Sequence, residues 1–112
     1  MLTLTMGTAL HLAAHSGSAG TVRLLLDRGA DIEARDATWD DTALAWAMVG
    51  SGERPKSCSD PDWVATVRTL IGAGAATRAV TLDPDDPKPP SPEVADLLRS
   101  LVPDAIGRSD GR

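Results

Sequence analysis

The sequence repeats itself, and this internal repetition is the strongest constraint on how the chain can fold. Thr8-Ala9-Leu10 returns as Thr42-Ala43-Leu44, 34 residues later. Val22-Arg23-Leu24-Leu25-Leu26 returns as Val67-Arg68-Thr69-Leu70-Ile71, 45 residues later. A fainter copy of the Val, then Leu-Leu pattern begins at Val94. Because self-similarity at a fixed period is typical of stacked supersecondary units, we expect a chain built from repeated units.

Each repeated segment has the apolar spacing of a short helix. In the first unit, apolar residues fall at positions i, i+3 and i+4 of two successive segments: Leu10, Ala13 and Ala14, then Val22, Leu25 and Leu26. We expect Thr8 to cap the first helix and Gly29 to end the second in a left-handed conformation. Thr42 and Gly74 should take the same two structural roles in the second unit. The sequence therefore predicts two antiparallel helix pairs.

An insertion separates the two halves of the second unit. The two repeat spacings, 45 and 34, differ by 11 residues, which matches the stretch 51–61. This stretch is rich in turn formers and has no apolar periodicity, so we expect it to be a loop. The first unit is then expected at about 7–40 and the second at about 41–80.

The remainder of the chain contains one further helix. A proline-rich segment at 83–90 is expected to be a linker, because proline cannot continue a helix. Ser91-Pro92-Glu93 then has the features of a helix start, and we expect a capping helix at 91–102. Residues 103–112 are expected to form a flexible tail, and residues 1–112 a single domain.

The first unit resembles the ankyrin repeat. The resemblance rests on Gly7-Thr8-Ala9-Leu10-His11-Leu12-Ala13-Ala14, followed by Gly17, Val22 and Gly29-Ala30-Asp31. The Thr-Pro-Leu-His element of the family appears with alanine in place of proline. The second unit is looser, because Ala45 stands where the first unit has His11 and Ala76 where it has Asp31.

The resemblance implies an all-α fold, an ankyrin-type α-solenoid of antiparallel helix pairs with short turn fingers and a C-terminal capping helix. It also implies that His11 is structural and forms a hydrogen bond near Thr8. Members of the family bind other proteins through the concave face and the finger tips, and catalysis is not their usual work. We therefore expect a protein-interaction module or adaptor that is not an enzyme.

Composition narrows the range of partners. The 112 residues carry a formal net charge of −5, which disfavours nucleic acid or an anionic membrane as the main partner. The single cysteine excludes an internal disulfide framework. No apolar run is long enough to cross a membrane. We expect a cytoplasmic protein that has no cofactor or metal and an unidentified protein partner, and the low lysine and high alanine content favours a bacterial source.

Residues near the turns are the best candidates for contact with that partner. Trp39 stands at the expected tip of the first finger, where a large aromatic side chain is typical of an interface anchor. The alternative to partner contact is that Trp39 folds back onto the finger of the next unit. Trp46 and Trp63 fall within apolar helical patterns and are expected to be packing residues. The predicted partner-binding residues are His15, Ser16, Ala37, Thr38, Trp39, Asp40, Val49, Glu53, Arg54 and Lys56.

A second hypothesis makes the chain a small hydrolase or metal-dependent enzyme. His11 and His15 have the i, i+4 spacing that places two imidazoles on one face of a helix. The hypothesis adds carboxylates that the fold would bring near them. Two histidines without a third ligand are weak support, so interaction is the first hypothesis.

The N-terminal end offers a further expectation. A helix pair cannot bury its own apolar stripe, and about three units are normally needed for a stable stack. Two units and one capping helix leave the first inner helix uncovered. We expect weak self-association through this end, or a natural chain that begins further upstream.

Overall fold

The structure is a computed structural model that describes residues 2–37, 40–54, 61–77 and 89–101. These residues form five α-helices and no β-strand. The helices are α1 (Leu2–His15), α2 (Ala19–Asp27), α3 (Ala43–Glu53), α4 (Trp63–Gly72) and α5 (Pro92–Leu101). None of these helices is both long and apolar enough to span a membrane. The expected all-α fold is confirmed.

Two helix pairs stack on each other. A short turn joins α1 to α2, and α3 and α4 form the second pair. Helix α1 packs most extensively against α3, and α2 packs against α4, so the molecule has an inner layer (α1 and α3) and an outer layer (α2 and α4).

Both outer helices end in the same way. Gly29 and Gly74 have φ angles of +96° and +105°, the left-handed region in which glycine has no steric penalty. At each end, the residue after the glycine donates a backbone hydrogen bond to the carbonyl five residues earlier, from Ala30 to Leu25 and from Ala75 to Leu70, both at 3.0 Å. Because the closing geometry is the same, the two repeated Gly-Ala pairs perform the same local task.

One apolar cluster joins the helices. Its buried members include Leu10 of α1, Val22 of α2, Leu44 of α3 and Leu70 of α4, and Leu25 packs against it from α2. Each of these helices contributes an apolar stripe that it cannot cover by itself. Burial of these stripes in one cluster is the main force that holds the two pairs together.

Helix α5 closes the second pair. Val94, Leu97 and Leu98 are buried on the side that packs against α4. Its start is tied to α3, because the backbone N–H of Ser91 donates to Ser51 Oγ at 2.9 Å and Ser51 Oγ donates to the Met48 carbonyl at 2.7 Å. The helix was expected at 91–102, and the structure begins it one residue later, at Pro92.

Three expectations about element ends are wrong. Helix α1 begins at Leu2, so Thr8 lies inside the helix and does not cap it. Helix α3 continues to Glu53, so the expected loop at 51–61 starts too early; residues 55–60 lie outside the described residues. Thr42 does precede α3 with an extended backbone, but its side chain forms no capping hydrogen bond. The side chain that caps in the second unit is Asp62, which accepts from the Ala65 backbone N–H at 2.9 Å.

Candidate binding surface

The inner layer is joined by a close backbone contact. Gly50 of α3 faces the backbone of His15 at the end of α1, and a β-carbon at this position would collide with the His15 carbonyl group. Glycine is therefore required for α3 to approach α1 this closely. The contact fixes the relative position of the two helices whose side chains form the surface described below.

Trp46 connects the two inner helices to the first finger, the turn at 34–41. Its ring lies 5.4 Å from the ring of His11 and 5.9 Å from the ring of His15, measured between centroids. Its indole N–H donates to Asp36 Oδ1 at 3.0 Å. Trp46 is half-buried and packs against the core, which confirms its expected packing role.

His11 forms hydrogen bonds with the backbone of the same finger. It is 2% exposed, and its Nε2 lies 3.1 Å from the Ala34 carbonyl oxygen and 2.9 Å from the Asp41 carbonyl oxygen. Since both partners are acceptors, Nε2 carries the proton and donates to both carbonyls. The hydrogen bonds of His11 thus go to the backbone of the finger. The expected hydrogen bond near Thr8 involves a side chain that lies outside the described residues.

The tip of the first finger is closed by hydrogen bonds of its own. Asp36 Oδ1 accepts the backbone N–H of Asp41 at 2.8 Å, and the Asp36 carbonyl accepts the N–H of Asp40 at 3.1 Å. Asp40 has a left-handed backbone with φ of +56°. The Arg35 guanidinium donates to the Asp40 carbonyl at 3.0 Å. Ala37 and Asp40, both predicted to bind a partner, are exposed at this tip; Thr38 and Trp39 lie outside the described residues.

Acidic side chains crowd the base of the finger. The pKa of Asp41 is raised above its ordinary value of 3.8, chiefly because burial disfavours the charged form, and further by the negative charges of Asp36 and Asp40. Arg35 and His11 act in the opposite direction. The finger therefore presents several carboxylates with only one arginine among them.

The far end of the inner layer brings together three more of the predicted residues. His15 Nε2 lies 2.8 Å from Glu53 Oε1, which links the last residues of α1 and α3. Arg54 ends α3 with φ of +53°, and its guanidinium lies 5.8 Å from the centre of the Trp63 ring and 3.5 Å from a Glu93 carboxylate oxygen. Ser16 and Val49 are half-buried beside this end. Lys56 lies outside the described residues.

Trp63 locks the turn that follows α1. Its indole N–H donates to the His15 carbonyl oxygen at 2.9 Å, and its ring lies over Gly17, whose φ is +75°. The ring leaves no space for a side chain at residue 17. Trp63 is buried, as expected for a packing residue, and it holds the end of α1 against the second helix pair.

The structure brings most of the described predicted residues to one side, and it adds Asp36, which sequence analysis missed. The signal that could have found Asp36 is its position at the start of an expected turn, where an aspartate side chain commonly accepts backbone N–H groups. Trp46 contacts both histidines and Asp36, and His15 contacts Glu53, so these contacts connect the finger to the inner helices. We call the following residues the inner surface: His15, Ser16, Asp36, Ala37, Asp40, Trp46, Val49, Glu53 and Arg54.

The ring nitrogens of the two histidines that form hydrogen bonds have different partners. His11 Nε2 is directed at backbone carbonyls, and His15 Nε2 at Glu53, so the two rings face different partners across Trp46. Within the described residues, no group of three or more histidine, cysteine, aspartate or glutamate side chains could hold a metal ion.

Comparison with known proteins gives one family match. Residues 7–37 match the family model described as the ankyrin repeat. These residues comprise α1 from Gly7 onward, α2 and the first half of the finger. No curated protein and no solved structure gives a significant match.

Proposed function

We propose that this chain, which belongs to the ankyrin repeat family, binds a partner protein through its inner surface. Ankyrin repeats generally serve as protein–protein interaction modules and are typically not catalytic. The binding residues proposed are those of the inner surface, together with Thr38, Trp39 and Lys56. No catalytic centre is assigned to the chain.

The observation that carries this proposal is the way Trp46 and His11 brace the finger. Trp46 donates to Asp36, and His11 donates to the carbonyls of Ala34 and Asp41. A finger held from two helices keeps its tip in one position before a partner arrives. Preorganisation of this kind lowers the entropic cost of association, which favours binding as the function of the surface.

The inner surface also has the composition of an interface. Trp46 and Val49 supply half-buried apolar area between the helices, and Asp40, Glu53 and Arg54 supply charged groups around it. An apolar centre with a polar rim is the usual anatomy of a protein interface. Trp39, which sequence analysis places at the expected tip, is proposed as the anchor residue.

Site-specific photo-crosslinking in cells of the native host tests the proposal. A photo-reactive amino acid at Val49, on the inner surface, is expected to give a discrete covalent adduct with one protein. The matched control carries the same amino acid at Arg28, which is exposed at the end of α2 in the outer layer. Trp39→Ala should weaken the interaction by about 2 kcal/mol without unfolding the chain. Adduct formation at Arg28 but not at Val49 would contradict the proposal.

A second proposal concerns self-association at the uncovered side of the first pair. Leu12 and Leu24 are 55% and 50% exposed. Their repeat counterparts are Trp46, whose ring lies against α1, and Thr69, which lines the groove between α2 and α4. Leu12 and Leu24 thus occupy positions that face the preceding helix pair in the second unit. We propose that two copies associate weakly through these leucines.

Sedimentation velocity over a range of concentrations tests self-association. We expect a concentration-dependent rise in the mean sedimentation coefficient that Leu12→Ser and Leu24→Ser together abolish. Leu101→Ser is the control, because Leu101 is 41% exposed at the opposite end, on α5. A strict monomer at all concentrations, or an equal loss in the Leu101 variant, would refute this mode of association.

A further inference from the structure

A groove separates the two helices of the outer layer. It has a volume of about 480 Å³ and opens to solvent between α2 and α4. The residues that line it are Arg23, Leu26, Asp27, Ala65, Arg68, Thr69, Gly72 and Ala73. None of them belongs to the inner surface, so the groove is a separate feature of the molecule.

Two arginines occupy equivalent places in this groove. Arg23 follows the buried Val22, and Arg68 follows the buried Val67, in the repeated Val-Arg pair that the two units share. Both arginines are exposed and neither pairs with a described residue. Both residues line one groove, and two like charges there favour the binding of an anion.

Among the other four arginines of the described residues, three are paired and Arg28 is not. Arg35, Arg54 and Arg99 lie 3.6, 3.5 and 2.8 Å from carboxylate oxygens of neighbouring acidic residues. The chain has 16 acidic residues against 11 basic ones, so partners for arginine are abundant in the sequence. Arg23 and Arg68 line the groove together with one acidic residue, Asp27, so the lining carries two positive charges against one negative charge in an acidic protein.

The other groove residues restrict what can bind. Leu26 is half-buried against the core, and with Ala65 it gives the groove an apolar part. Asp27 lies one helical turn beyond Arg23 and also lines the groove, so the positive charge is confined to the end that contains the two arginines. A suitable ligand carries an anionic group for the arginines and an apolar group for Leu26.

From this arrangement we infer that the groove binds an acidic segment of a partner protein. A carboxylate of the segment accepts hydrogen bonds from Arg23 and Arg68, and a neighbouring apolar side chain packs on Leu26. Guanidinium groups match carboxylates in a planar, two-point geometry, which suits this role. Nucleic acid is disfavoured, because two arginines on a chain with a net charge of −5 cannot neutralise a polyanion. This surface is additional to the inner surface.

Fluorescence anisotropy with short labelled peptides tests the inference. The probe is a peptide that alternates glutamate and leucine, and the comparison peptides replace leucine with serine or glutamate with lysine. We expect the Glu-Leu peptide to bind best, and Arg23→Gln or Arg68→Gln to weaken its binding by roughly tenfold, as for loss of one charge-assisted hydrogen bond. Arg68→Lys keeps the positive charge but loses the planar guanidinium, so its affinity for the Glu-Leu peptide is expected to lie between those of the unchanged protein and Arg68→Gln.

The matched control is Arg28→Gln, which removes the same charge from the end of α2 outside the groove. It should change the affinity by less than about twofold, since only long-range screened attraction is lost. Thermal melts should show that all variants remain folded. An equal loss in the Arg28 variant, or no loss in the groove variants, would overturn the inference. If the peptide with serine in place of leucine binds equally well, Leu26 has no role in binding. If inorganic phosphate displaces the Glu-Leu peptide at a lower concentration than acetate does, the groove is a phosphate site instead.

The two proposals fail separately. Crosslinking at Val49 reports on the inner surface, and the peptide titration reports on the groove. Loss of peptide binding in Arg68→Gln with an unchanged Val49 adduct would show that the two surfaces act independently.

Discussion

In the inner layer, Gly50 of α3 faces the backbone of His15, whereas in the outer layer α2 and α4 pack against each other less extensively and leave a groove of about 480 Å³ on the solvent side. The helices are related by the same repeat in both cases, but the residues between them differ. The inner helices meet at Gly50 and through the rings of His11, His15 and Trp46, whereas the outer groove is lined by the long side chains of Arg23, Leu26 and Arg68 beside smaller residues.

The difference separates two tasks. Close approach of the inner helices leaves little freedom for their relative movement, which suits a surface that must hold a finger in place. The open outer layer exposes long side chains that can adjust to a ligand. Rigidity and adaptability are thus set by side-chain size at the contact positions of a common repeat.

The largest effect is expected from Gly50→Ala. The new β-carbon would meet the His15 backbone, which cannot move aside as a flexible side chain can, so we expect a loss of about 3 kcal/mol in the free energy of unfolding. The matched control is Gly72→Ala in the outer layer, where a β-carbon would meet nothing within 4 Å. That variant should be unchanged or more stable by up to about 1 kcal/mol. Urea denaturation measures both, and equal effects would remove the contrast between the layers.

The second-largest loss of stability is expected from His11→Ala. The substitution leaves the carbonyls of Ala34 and Asp41 without the His11 donor and opens a cavity, so we expect a loss of about 2 kcal/mol. His15→Ala makes the same deletion at a side chain that is 26% exposed, and should cost less than about 1 kcal/mol. Thermal unfolding compares the two variants. If His15→Ala proves the more harmful, the finger is not braced through His11.

The smallest change in stability is expected from a substitution of Asp41, at the base of the finger. The pKa of Asp41 is raised in the folded protein, so between the unfolded value and the folded value the folded state binds more protons. The free energy of unfolding therefore falls as the pH rises through this window. At neutral pH the full destabilising effect of Asp41 is present. Asp41→Asn should raise the melting temperature slightly at pH 7, by the equivalent of less than about 0.5 kcal/mol.

The sign of this effect is checked by pH. The gain from Asp41→Asn should shrink as the pH falls and vanish below the ordinary value of 3.8, where the carboxyl group is protonated in both states. A constant gain at every pH would show that the substitution acts through packing and not through charge.

Local features of the fold were predictable from the sequence. The apolar spacing around Leu25 and Leu70 predicted the outer helices, and the structure places both residues at one apolar cluster. The start of α5 was predictable because a proline at the first helical position is a local signal. Each of these features depends on residues that are close together in the chain.

The errors arose where distant residues decide the structure. Ser51 and Gly52 favour a loop by their own propensities, but Ser51 bonds to Ser91 and extends α3, so tertiary contacts overrode local preference. The hydrogen bonds of His11 to the finger and of Trp63 to His15 span 23 or more residues. No spacing rule in a single sequence contains these partners, and the outer groove depends on such long-range packing too.

The central claim is that both helix pairs form one cooperative stack although the family match covers the first pair only. Native-state hydrogen exchange in increasing urea tests it most directly at the amides of Leu25 in α2 and Leu70 in α4. We predict that both amides exchange through the same opening reaction, with equal free energies and equal dependence on urea. Exchange of one amide at a clearly lower free energy and with a smaller urea dependence would show that the pairs unfold independently, and would contradict the claim.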